Sequence, residues 1–132
     1  MPEEQSPPDL EIRVPPSPTA PWEARHALDA LAPAMGPEAL DTVRLLASEL
    51  VSNSLKHAPL QPGDKIQIKA EATDTGVRVE VSDPGPGFHS PPRPSLTDAN
   101  LGLYFVDKLA DRWGVSTEGP AYVWFEVDRA TR

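Results

Sequence analysis

The amino-acid order predicts an α+β fold, a two-layer sandwich with helices on one face of a mixed, mostly antiparallel sheet. Three observations carry that expectation. The segment 38–57 repeats its apolar residues with the period of a helix. Short β-type runs flank it, in the order strand, two helices, two strands, loop, helix, two strands. The chain has 132 residues and is 39% hydrophobic, which suits one core and one domain.

Each element has a local reason. Residues 1–9, with Pro2, Pro7 and Pro8, read as a disordered tail, and 10–128 as the folded domain. Leu10, Ile12 and Val14 alternate with polar residues, as in a short edge strand, and Pro15 and Pro16 end it. A first helix fits residues 20 to about 31, with Thr19 as its cap and Pro21 in its first turn. Pro33, Gly36 and Pro37 break it. In the long second helix, Leu40, Val43, Ala47, Leu50, Val51, Ser54, Leu55 and Ala58 share one arc. Strands follow over 65–72 and 77–82, joined by a hairpin turn at Asp74, Thr75 and Gly76.

Residues 83–100 hold Pro84, Pro86, Pro91, Pro92 and Pro94 and show no periodicity. So long a loop in a compact domain is usually a functional lid or disordered, and 88–100 are read here as a lid. Residues 101 to about 111 read as a helix. Residues 113–117 and 121–127 read as strands meeting at Glu118, Gly119 and Pro120. Trp113, Trp124 and Phe125 fall in strand patterns and read as core.

Composition removes several function classes. The net charge is -8, from 20 acidic against 12 basic residues, which argues against nucleic acid and anionic membrane as partners. There is no cysteine, hence no disulfide framework and no thiolate metal site. His26, His57 and His89 lack metal-ligand spacing. No apolar run reaches membrane-span length and the first residues are acidic, so a soluble cytoplasmic protein is expected.

Three segments carry chemistry. Glu49, Asn53 and His57 recur every fourth residue, a stripe beside the apolar arc of the second helix. A carboxamide oxygen suits Mg²⁺ without cancelling its attraction for phosphate, and a carboxylate one turn away can accept a proton. The same stripe also suits a plainly solvated helix face. In Val81-Ser82-Asp83-Pro84-Gly85-Pro86-Gly87, a strand runs into an acid and then glycines that permit close approach of a ligand. Such an acid can accept a hydrogen bond from an exocyclic amine such as that of adenine; an ordinary turn is the alternative. Third, Asp98-Ala99-Asn100-Leu101-Gly102-Leu103 ends the loop in a helix start, a place that attracts phosphate, or one simply capped by Asp98 or Asn100.

Together and in order, these segments resemble the N, G1 and G2 boxes of the Bergerat (GHKL) ATPases. Glu49 and Asn53 meet the Glu-x-x-x-Asn pattern, and Asp83, Gly85 and Gly87 meet Asp-x-Gly-x-Gly. The words SELVSNSLKHAP, VSDPGPGF, LADRWGV and YVWFEV look like the small stand-alone anti-sigma-factor serine/threonine kinases. The resemblance spans about residues 10–128. It implies an ATP site in which Asn53 holds Mg²⁺, Glu49 orients or deprotonates the attacking group and Asp83 binds the adenine amine. It further implies that Gly85 and Gly87 admit the nucleotide, that Gly102 and Leu103 support the triphosphate, and that Lys56 and His57 lie near the phosphates. Helix-end stabilisation through the dipole explains His57 equally well. Two departures stand out. Asp98 and Asn100 replace family glycines, and Asn100 keeps access to positive φ. Ala121 and Tyr122 stand where a small hydroxyl or basic residue is usual.

The resemblance implies ATP and Mg²⁺ as ligands, a sigma-factor or anti-anti-sigma-factor type of protein partner, and homodimers as an available assembly. Three functions follow: a serine/threonine kinase, a binding module that sequesters a partner with or without nucleotide, and the ATPase part of a histidine kinase. The last ranks lowest, because no dimerisation helix with a phosphoacceptor precedes the domain.

Overall fold

The computed structural model is described over residues 9–57, 61, 63–83, 101–116 and 122–129. The expected tail up to residue 8, the lid over 88–100, Gly85, Gly87, Asn100 and the turn at 118–120 lie outside the described residues.

The chain begins with β1 (Asp9–Val14) and α1 (Ala20–Ala27). The α-helix then tightens into a 3₁₀ segment, Leu28–Ala34. The first helix was expected to run on to about residue 31. Pro33 is the physical reason it does not: without an N–H, and with a ring that crowds the carbonyl four residues back, it disfavours an α-helical turn there. Next come α2 (Pro37–His57), β2 (Ile66–Ala72), β3 (Gly76–Ser82), α3 (Leu101–Leu109), β4 (Arg112–Ser116) and β5 (Tyr122–Asp128). These bounds match the sequence reading to within one or two residues.

The five strands form one sheet in the order β1-β2-β3-β5-β4. The sheet expected to be mixed and mostly antiparallel is antiparallel at all four pairings. The reason is β5, which inserts between β3 and β4. Those two strands run in the same direction, and β5 keeps them from pairing with each other.

The three helices pack on one face of this sheet. Val77, Val79 and Val81 of β3, Val123, Phe125 and Val127 of β5, and Ile66 and Ile68 of β2 point into the shared core. Alternation along each strand sends the other set outward. So Trp124, read as core from its size and strand context, lies on the outer face, half-buried, with the Arg78 guanidinium 4.4 Å from its ring centroid. Its neighbour Phe125 is fully buried, as expected. Trp113 is partly buried against the core and its indole N–H donates to Asp107 Oδ1 at 3.0 Å. On the outer face, Arg78 pairs with Glu80 and Glu126, and Arg112 with Glu126 and Asp128.

Helix α2 is the centre of the helical layer. It packs against α1 and α3 and touches β2, β3 and β5. Because it has a helix on each side, it buries more than the expected arc. Leu46 and Ser48 are buried along with Val43, Ala47, Leu50 and Val51. Among the described residues, no helix is long and apolar enough to cross a membrane.

Candidate functional site

The site is built on the C-terminal half of α2 and the end of β3. With 21 residues, α2 runs roughly 30 Å at 1.5 Å per residue. Glu49 and Asn53 occupy successive turns and are both half-buried, between the core arc and the exposed side of the helix. Among the described residues, neither side chain is held in a hydrogen bond or ion pair with another. Lys56, one turn from Ser52, is exposed. His57 is the last residue of α2.

Asp83 follows directly on Ser82, the last residue of β3, where the backbone leaves the ladder. The side chain of Ser54 reaches it: Oγ donates to Asp83 Oδ2 at 2.6 Å. Ser54 follows Asn53 in the chain, so this bond holds the acid of the Asp-x-Gly-x-Gly segment against the helix that carries Glu49 and Asn53. Two segments that lie 29 residues apart in sequence thus meet at one place.

Gly102 lies in the first turn of α3, as the third segment requires. Leu103 is 98% covered and part of the core, packed with Val106. Its side chain therefore supports α3 from beneath, and only its backbone is available to a ligand. Among the described residues, no group of three or more His, Cys, Asp or Glu side chains is arranged to hold a metal ion.

Ser54 escaped the sequence reading as a site residue. It was counted within the apolar arc, where its position fits. The available signal was a hydroxyl in an otherwise apolar stripe, since a buried hydroxyl needs a partner.

Comparison with known proteins bears on both fold and family. The structure matches the crystal structure of the RsbU and RsbW domains of Rv1364c from Mycobacterium tuberculosis with a TM-score of 0.70. Identity is 20%, and the match covers 95% of this chain but 34% of that one. At that identity the likeness is one of fold. No curated protein matches the sequence. The family model of the histidine kinase-like ATPase domain matches residues 14–125, from the end of β1 to the middle of β5. The matched stretch includes Glu49, Asn53, Asp83 and the first turn of α3, and the five-stranded sheet with its three helices agrees with it. The chain belongs to the histidine kinase-like ATPase domain family.

Proposed function

We propose that this chain is a regulatory ATP-binding protein that phosphorylates or sequesters a protein partner of the sigma-factor or anti-anti-sigma-factor type. The observation that supports this most is the Ser54–Asp83 hydrogen bond, which joins a base-reading acid to the helix of Glu49 and Asn53. In this reading Asp83 accepts a hydrogen bond from the adenine amino group. Guanine presents a carbonyl oxygen at that position and would be repelled. Asn53 would hold Mg²⁺ through its carboxamide oxygen, with phosphate and water completing the shell. That division of ligands fits a site whose described residues include no acidic metal-binding cluster. When bound, Mg²⁺ would neutralise charge on the phosphates. Glu49 accepts the proton of the attacking serine or threonine hydroxyl. Lys56 and His57 would lie near the phosphates, Gly85 and Gly87 would let the nucleotide lie against the backbone, and Gly102 and Leu103 would support the triphosphate.

In the neighbouring structure the RsbW domain shares a chain with an RsbU domain, which supports a protein as the partner here. A specific observation favours the sequestering form of the function. Asp98 and Asn100 stand where the family carries glycines, which adds a negative charge and restricts the backbone beside the triphosphate.

Calorimetric titration with ATP and GTP, each in Mg²⁺ and in EDTA, tests this reading. ATP should bind with Mg²⁺ and lose most of its affinity in EDTA, and GTP should bind more weakly than ATP. Asp83→Asn should weaken ATP binding by about tenfold, the scale of a hydrogen bond to a charged group. Glu49→Ala should keep ATP binding and abolish phosphotransfer to the partner. Equal affinity with and without Mg²⁺ would remove the role of Asn53, and equal affinity for GTP would remove that of Asp83. Nucleotide binding without turnover in the wild type would leave sequestration as the function.

A further inference from the structure

Ser54 and Ser48 are the buried polar residues of the described chain, and they behave differently. Ser48 Oγ donates at 2.9 Å to the Leu45 carbonyl, one turn back in its own helix. That is the usual resting place of a helical serine hydroxyl. Ser54 is 2% exposed and does not turn back. It spends its one hydrogen on Asp83, across the gap between α2 and β3. The 2.6 Å separation falls in the short range of a hydroxyl bonded to a carboxylate. The slot itself is part of the apolar arc, between Val51 and Leu55, and alanine would satisfy its packing. The hydroxyl is therefore directed at Asp83 and not at its own helix.

We propose that Ser54 is a positioning residue for base recognition: it fixes the Asp83 carboxylate in the orientation that meets the adenine amine. This rests on the reading of Asp83 given above. Asp83 is the first residue beyond the β3 ladder, and the strand alone would leave its side chain a choice of rotamers. Ser54 offers a donor from a helix turn whose neighbours Leu50 and Val51 are fully buried, so the donor hardly moves. Ser54 is one of the partners of Asp83 and holds one of its two oxygens. An acceptor already oriented loses less freedom on binding, and it discriminates more sharply between an amine and a carbonyl.

The test compares ATP with the triphosphate of purine riboside, which lacks the 6-amino group. Both are titrated in Mg²⁺ against the wild type, Ser54→Ala, Ser54→Thr, Asp83→Asn and the Ser54→Ala/Asp83→Asn double variant. The wild type should prefer ATP. Ser54→Ala should lower ATP affinity by about tenfold while changing affinity for the analogue by less than about twofold, so the preference collapses. Ser54→Thr keeps the hydroxyl and should retain the preference for ATP. In the Asp83→Asn background, Ser54→Ala should cost little more, because the two residues act through one contact. A merely structural serine would lower both affinities together, and that result would overturn the inference. So would a Ser54→Ala variant that keeps its full preference for ATP. A wild type that binds ATP and the analogue equally would overturn the base-reading role of Asp83 together with that of Ser54. A wild type that binds neither would overturn the ATP site as a whole.

Discussion

Gly114 of β4 sits against the indole of Trp124 on the neighbouring strand. A Cβ at that position would stand 2.8 Å from Nε1 and 3.0 Å from Cε2 and Cζ2. A stiff ring cannot give way as the tip of a flexible side chain would. Gly114→Ala should therefore destabilise the fold by about 1–3 kcal/mol, the usual cost of overpacking, and urea denaturation measures it. An unchanged midpoint would mean that Trp124 has room to retreat. The pair also marks where residue-level reading succeeded and failed. Asp83, Glu49 and Asn53 stand out in the sequence by type and spacing, and the structure sets them on α2 and just beyond β3. The outward direction of Trp124 was not, although Val123, Phe125 and Val127 fix it by alternation, because ring size outweighed parity in the reading. Ser54 was legible as a position on the arc but not as a donor. Its partner is set by where β3 ends relative to α2, and that is a property of the tertiary structure.

At the scale of elements, α2 is the beam on which both the core and the site are mounted. Leu50 is fully buried on it, one residue from Glu49. Leu50→Ala should cost about 2–5 kcal/mol in chemical denaturation, the range for truncating a core leucine. A loss under 1 kcal/mol would contradict the tight packing of α2. A second element hangs from the same helix. Arg44 of α2 donates to Asp29 of the 3₁₀ segment and to Asp41, each at 2.6 Å. The hydrogen bond with Asp29 is the main cause that raises the Arg44 pKa above its ordinary value, and a guanidinium is a cation at any pH suited to the folded protein. Arg44→Ala should speed hydrogen exchange in residues 28–34 relative to α2, and uniform exchange in both variants would show that the pair does not restrain the segment. Helix and strand identities were legible because period and breakers are local. The change from α to 3₁₀ at Leu28 was not placed, since it depends on how far upstream Pro33 makes itself felt.

For the whole molecule, the strand count was legible and the strand order was not. Periodicity identifies strands but does not say which become neighbours. Here the last strand in sequence takes an interior place, one in from the sheet edge, with β3 and β4 on either side. Its ladder with β3 runs from Gly76↔Asp128 to Ser82↔Tyr122, and Leu103 and Val106 of α3 enter the same core. The polypeptide therefore divides into two interlocking pieces. One holds β1, α1, α2, β2 and β3; the other holds α3, β4 and β5. Each presents an unfinished sheet edge and an apolar helix face that only the other completes. The ladder and the core join them. Expressed as separate fragments divided within residues 84–100, the two halves should reassemble into one species of native size and circular dichroism, while neither folds alone. Fragments that elute apart when mixed would mean that covalent continuity, and not complementarity, keeps the halves together. Should they rejoin, this architecture is a natural split reporter, with its seam beside the helix that carries Glu49 and Asn53.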